Sequence, residues 1–110
     1  MEKSKYIVVL ITVTGADEAH DIADALLDQR LAACVNIAGD VDSHYWWRGK
    51  VESAQESLLI VKSREALLPE IIAAAKKIHG YEVPEIIALP IAGGDKDYLD
   101  WIDGEATGRR

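Results

Sequence analysis

Apolar residues run almost unbroken over positions 7–13, and most of them are β-branched. That predicts a strand buried on both faces at the centre of a sheet. Thr14-Gly15 ends it, and Asp17 is placed to cap a helix. Ala19, Ile22, Ala23, Leu26 and Leu27 follow at helical spacing, with Asp21, Asp24 and Asp28 on the opposite side. Arg30-Leu31 closes that helix. Positions 32–37 (A-A-C-V-N-I) predict a second strand, bent or bulged at Gly39-Asp40 and resuming over 41–47. Arg48-Gly49-Lys50 predicts a tight turn into a third strand over 51–63, giving a long β-hairpin with Trp46 and Trp47 at its tip.

Leu68, Ile71, Ile72, Ala75 and Ile78 predict a second helix. Pro69 must lie in its first turn, so it begins near Glu65 or Ala66. Lys76, Lys77 and His79 sit where the helix dipole favours positive charge, and Gly80 is placed as the C-cap. A fourth strand spans 85–91, bracketed by Pro84 and Pro90, whose missing donors suit strand ends or a sheet edge. Gly93-Gly94 turns the chain, Asp95 caps a last helix with Tyr98, Leu99, Trp101 and Ile102 on its apolar side, and residues 104–110 form a frayed tail. The order strand–helix–strand–strand–helix–strand, with a terminal helix added, is the ferredoxin-like α+β pattern. Helices then cover one face of an antiparallel sheet, and the other face meets solvent or a second subunit.

The chain has 110 residues, which fits a single domain over 1–110. Hydrophobic residues make up 49%, rich for a lone small subunit, which points to an oligomer. There are 12 Lys and Arg against 19 Asp and Glu, a net charge of −7. Nucleic acid and anionic membranes need a basic surface, so neither is expected as a partner. The acidity draws cations or simply aids solubility. The lone Cys34 cannot form an internal disulfide and fits a reducing compartment. No run reaches the ~18 apolar residues of a membrane span. Residues 1–13 faintly mimic a signal peptide, but the apolar stretch is short, β-branched and followed by no suitable cleavage site. A cytoplasmic location is the expectation.

A shared fold does not settle function, so the chemistry must. Positions 13–16 (V-T-G-A) lack the cysteines of a metal chaperone and the arginine of an acylphosphatase cradle. Central-strand aromatics of an RNA-recognition domain, a Walker loop and a dinucleotide fingerprint are also missing. Cys34 lies in an apolar strand segment, as a small buried hydrophobe does; a nucleophile needs an adjacent base. Ser43 and His44 are neighbours on a strand and point to opposite faces. His79, Glu82 and Glu85, in H-G-Y-E-V-P-E, form a candidate set for a divalent cation; the alternative is a helix-end histidine beside exposed glutamates. Tyr45, Trp46, Trp47 and Lys50 line either a ligand cleft or a subunit contact.

Five segments together resemble the CutA divalent-ion-tolerance family: L-A-A-C-V-N-I at 31–37, Y-W-W-R-G-K at 45–50, E-S-L-L-I-V-K at 56–62, H-G-Y-E-V-P-E-I-I-A-L-P-I at 79–91 and D-Y-L-D-W-I at 97–102. The resemblance covers nearly the whole chain. It implies a tight, PII-like homotrimer whose long hairpins pair between subunits, a role in tolerance of copper and other divalent metals, and no established enzymatic activity. Animal relatives have been linked to acetylcholinesterase anchoring. No cofactor is required; copper or zinc is the candidate metal, at His79, Glu82 and Glu85. The alternative is a PII-like signalling trimer with a small ligand in an intersubunit cleft near Tyr45, Trp46, Trp47, Lys50 and Tyr81. Two departures weaken a soft copper site. Ile11 stands where some bacterial members carry a cysteine, and Gly80 replaces the usual proline of H-P-Y. A carboxylate-rich cation site remains open.

Overall fold

Alternation along the first strand, β1 (Tyr6–Val13), decides how the molecule is layered. Ile7, Val9, Ile11 and Val13 are buried, while Tyr6, Val8 and Leu10 are only half-buried. The computed structural model describes residues 5–108. Burial of β1 on both faces is therefore corrected: within one chain only one face is covered. The elements that follow are α1 (Ala16–Asp28), β2 (Cys34–Trp47), β3 (Lys50–Arg64), α2 (Leu68–Ile78), β4 (Ile86–Pro90) and α3 (Lys96–Glu105). A 3-10 turn, Glu65–Leu67, leads into α2 and puts Pro69 in the first α-helical turn.

The sheet has four strands in the order β2-β3-β1-β4, all antiparallel. The α+β fold and the predicted order of elements are thus observed. Among the described residues β4 pairs with β1 alone and forms an edge, which accommodates Pro90. The helices bury Ala19, Ile22, Leu26, Ile71, Ala75 and Ile102 against Val9, Ile11, Leu59 and Val61. Each fully buried Leu or Ile stabilises by about 2 kcal/mol before conformational entropy is counted. Ser63, fully buried in this layer, donates to the Leu31 carbonyl at 2.6 Å, so its hydroxyl is satisfied.

Several local expectations change. Gly15, not Asp17, is the N-cap of α1, and no side chain caps it; Asp17 lies in the first turn. Leu27 is 41% exposed and leaves the apolar face of α1. The bulge between Ala38 and Val41 is present, and its left-handed residue is Asp40 (φ 58°) rather than Gly39. Helix α2 ends at Ile78, and His79, not Gly80, is its C-cap. In α3 only Ile102 is fully buried, whereas Tyr98 and Trp101 pack on each other at 5.5 Å and stay partly exposed. Residues 104–108 are not frayed. Ala106 is fully buried, its carbonyl accepts from Arg64 Nε at 2.6 Å, and Gly108 donates to the Arg30 carbonyl at 2.7 Å. Residues 109 and 110 of the predicted tail lie outside the described residues, as do positions 1–4 at the start.

Beyond the bulge, β2 and β3 continue as a two-stranded arm from Val41↔Glu56 to Trp47↔Lys50. Directly opposed residues share a face. Val41, Ser43, Tyr45 and Trp47 therefore lie on one side with Glu56, Ala54, Glu52 and Lys50, and His44 and Trp46 lie on the other.

Candidate binding niche between the hairpin and the loop after α2

The niche is built where α2 stops. His79 leaves the helix in an extended conformation, and its ring turns under the end of β1. Nε2 lies 2.6 Å from the Thr12 carbonyl oxygen. A carbonyl only accepts, so Nε2 carries the proton, and Nδ1 is free to accept from the Tyr81 N–H at 3.1 Å. The ring is 8% exposed. Both imidazole nitrogens are therefore engaged in holding the loop, and the ring does not cap the helix end.

Glu18, in the first turn of α1, pins the same loop from the other side. Its Oε1 accepts from the Gly80 N–H at 2.7 Å, and its Oε2 from the Thr14 hydroxyl at 3.4 Å. A proline at position 80 has no N–H to give, so this contact depends on the glycine found here. Held at both ends, the loop delivers Tyr81 to the arm. The Tyr81 hydroxyl donates to Glu56 Oε2 at 2.9 Å. Burial, then the hydrogen bond and charge of Glu56, push the Tyr81 phenol up to about 12. It therefore remains a donor at neutral pH. Tyr45 and Thr14 also lie close enough to Tyr81 to act on it.

Tyr45 and Tyr81 thus lie near each other in one chain, whereas Trp47 sits further out at the tip and Trp46 points from the opposite face of the arm and is 75% exposed. Lys50 pairs across from Trp47 at the tip. The candidate metal ligands do not converge. Glu82 is paired with Arg48 at 3.1 Å, Glu85 accepts from the Thr12 hydroxyl at 3.5 Å, and His79 is tied on both nitrogens. Among the described residues, no three His, Cys, Asp or Glu side chains gather in a group able to hold a metal ion. Ile11 is fully buried in the core, so its position offers no substitute donor.

Glu56, Glu18 and Thr14 were not anticipated. The sequence does carry a trace of the first: Glu56 opens E-S-L-L-I-V-K, a carboxylate set at the head of a buried strand. Glu18 and Thr14 act only through a loop more than sixty positions away, which no local pattern reveals.

Comparison with known proteins follows the same residues. The chain matches the family described as CutA1 divalent ion tolerance protein across residues 7–105. The chain belongs to the CutA1 family. Among its relatives, the divalent-cation tolerance protein CutA of Thermus thermophilus is 50% identical over 95 residues, covering 86% of this chain and 92% of the relative. The chloroplastic CutA 1 of rice is 47% identical over 96 residues, covering 87% of this chain and 54% of the relative. This chain therefore spans about half the length of the rice protein. The solved Thermus thermophilus structure superposes with a TM-score of 0.89 at 48% identity, covering 91% of this chain and 97% of that one. The Archaeoglobus fulgidus structure, described as periplasmic, gives 0.89 at 42%, covering 92% and 98%. CutA1 proteins described as chloroplastic and as periplasmic share the family, so membership alone fixes no compartment. No helix among the described residues is long and apolar enough to cross a membrane.

Proposed function

We propose that this CutA1 chain works as a non-catalytic homotrimer in divalent-cation tolerance, and that its working site is the niche formed by the hairpin arm and residues 79–82. The observation that supports this reading is the convergence of Tyr45, Tyr81 and Glu56, held by His79 and Glu18. A protein spends its buried hydrogen bonds on such a loop when the loop's position matters. The groups gathered there are rings, phenols and carboxylates, which bind and orient. Cys34, half-buried, lies beside Asn36 and Tyr98 and across the strands from Lys62, whose ammonium is itself hydrogen-bonded to Asn36.

The metal role of the family reaches this chain through Glu82 and Glu85 in preference to His79, whose ring would first have to give up a hydrogen bond. Divalent copper or zinc then meets oxygen donors, and a complete set draws on more than one copy. The niche itself favours the PII-like alternative, a small ligand held between subunits. The cytoplasm is the compartment this reading assumes.

Sedimentation at micromolar concentration together with calorimetry against Cu²⁺ and Zn²⁺ tests the proposal. The expected result is a single species of three chains. Metal binding is expected to survive His79→Gln and to weaken on joint replacement of Glu82 and Glu85 by Gln. A monomer removes the proposal, and loss of binding in His79→Gln alone restores the histidine as a ligand.

A further inference from the structure

The loop after α2 is held from two sides. Toward the hairpin arm, the Tyr81 hydroxyl donates to Glu56, and Glu82 pairs with Arg48. Toward β1 and α1, the His79 ring ties the Tyr81 N–H to the Thr12 carbonyl, and Glu18 holds the Gly80 N–H. The histidine tie is the one that a proton can undo.

Its two hydrogen bonds together require a neutral ring. Nε2 donates to the Thr12 carbonyl at 2.6 Å, and Nδ1 accepts from the Tyr81 N–H at 3.1 Å. An imidazolium is a donor at both nitrogens. Its Nε2 keeps the Thr12 carbonyl, but its Nδ1–H then points at another N–H. Two donors cannot share that contact, so the backbone at Tyr81 has to move away. The ring has little room to turn instead. It is 8% exposed, and the Tyr81 ring lies beside it with centroids 5.0 Å apart.

The charged groups of the neighbouring elements do not take over as acceptors. Glu18, on α1, holds the Gly80 N–H with one oxygen and the Thr14 hydroxyl with the other. Glu85, just before β4, accepts from the Thr12 hydroxyl, and Glu56, on β3, accepts from the Tyr81 hydroxyl. Each stands one contact away from the imidazole and is already engaged, so none of them meets Nδ1 in this arrangement.

We propose that His79 is a proton-sensitive latch, closed when the ring is neutral and opened when Nδ1 takes up a proton and releases the Tyr81 N–H. Opening frees the backbone at Tyr81 from the ring under β1, while Glu56 and Arg48 keep the loop on the arm. This goes beyond the reading of the niche as a ligand site, since the latch works whether or not a ligand is bound.

Nuclear magnetic resonance on the full, isotope-labelled chain tests it between about pH 8 and pH 5, the range in which imidazole ordinarily changes charge. At the upper end the ring carries one proton, on Nε2, and at the lower end two. The Tyr81 amide resonance moves with the same midpoint as the ring nitrogens. Its hydrogen-exchange protection falls by about tenfold on acidification, the scale of one lost hydrogen bond. His79→Gln keeps an N–H for Thr12 and an oxygen for Tyr81 but cannot titrate, so its Tyr81 amide stays in place across the range. Glu18→Gln keeps an oxygen for the Gly80 N–H and removes a carboxylate, and it leaves the shared midpoint of ring and amide intact. If His79→Gln does not fold, the wild type and Glu18→Gln decide. A ring that gains its second proton without moving the Tyr81 amide overturns the latch. So does a ring that stays neutral until the chain unfolds, or a Tyr81 amide that still titrates in His79→Gln.

Discussion

Tyr81 shows what a single residue carries here and how little of it a sequence discloses. The H-G-Y motif drew attention to the histidine, and the structure gives the histidine a supporting part. Its ring fixes the backbone at Tyr81, and the phenol reaches across to the arm and donates to Glu56. Spacing within 79–85 was legible; the partners were not, because Thr12, Glu18 and Glu56 arrive from other elements. The Tyr81–Glu56 contact has a pH signature. The phenol is raised from its ordinary 10.0 to about 12 in the folded chain. A raised folded-state value means that the folded protein binds the proton more tightly. The stabilisation is therefore complete below pH 10 and is lost as pH rises through about 12. The urea midpoint of the wild type should fall across that interval more steeply than that of Tyr81→Phe. Ultraviolet titration should show one phenolate appearing near the top of the interval and missing from the variant. Identical slopes for the two proteins would remove the contact from the list of stabilising interactions.

At the scale of elements, strong periodicity read true and termini did not. Three helices and four strands stand where the apolar patterns put them, because each pattern is satisfied by burial against the same layer. Asp17 and Gly80 were named for residue type, yet caps are decided by backbone geometry that composition only biases: Gly15 and His79 hold those places. Helix α1 ends with Arg30 in a left-handed conformation (φ 58°), its N–H bonded to Leu27 and that of Leu31 to Leu26. A Gly was not needed because the chain tolerates one strained residue there. The hairpin turn is stricter. Arg48 and Gly49 both have positive φ, at 51° and 81°, the requirement of a two-residue turn that matches strand twist. Gly49 has open space around its missing Cβ, so Gly49→Ala meets no neighbour and reports backbone strain alone. It should cost about 1 kcal/mol, read as a lower urea midpoint with an unchanged slope. Arg48 should keep its contacts with Trp47 and Glu82 only while that turn holds. An unchanged midpoint would mean that the arm does not unfold with the domain.

For the whole molecule, the decisive feature is the side of the sheet that no helix covers. Register puts Val8, Leu10, Leu58, Ile60, Ile87 and Leu89 on that side, in a belt across β3, β1 and β4. Ile87 and Leu89 are 51% and 50% exposed, and the other four are half-buried. A contiguous apolar belt is uncommon on a monomer's surface. Lys62 and Asn36, hydrogen-bonded to each other, and Thr12, opposite Leu58, are polar residues on the same side. The net charge of −7 keeps such a chain in solution but does not hide the belt. Burial of the belt is what the homotrimer proposal requires, and Leu10→Glu tests it without touching the core, since Leu10 and the buried residues Val9 and Ile11 point to opposite faces. A carboxylate there stays hydrated in a separate chain and is stranded among apolar side chains in an assembly, a difference of several kcal/mol per copy. Far-ultraviolet circular dichroism of Leu10→Glu should match the wild type, while sedimentation shifts from the associated species to single chains. The niche should then lose whatever portion of its ligand affinity a neighbouring copy supplies. If Leu10→Glu sediments as the wild type does, the belt is not the surface that joins the subunits. The arm and the β4 edge would then have to hold the copies together by main-chain pairing alone.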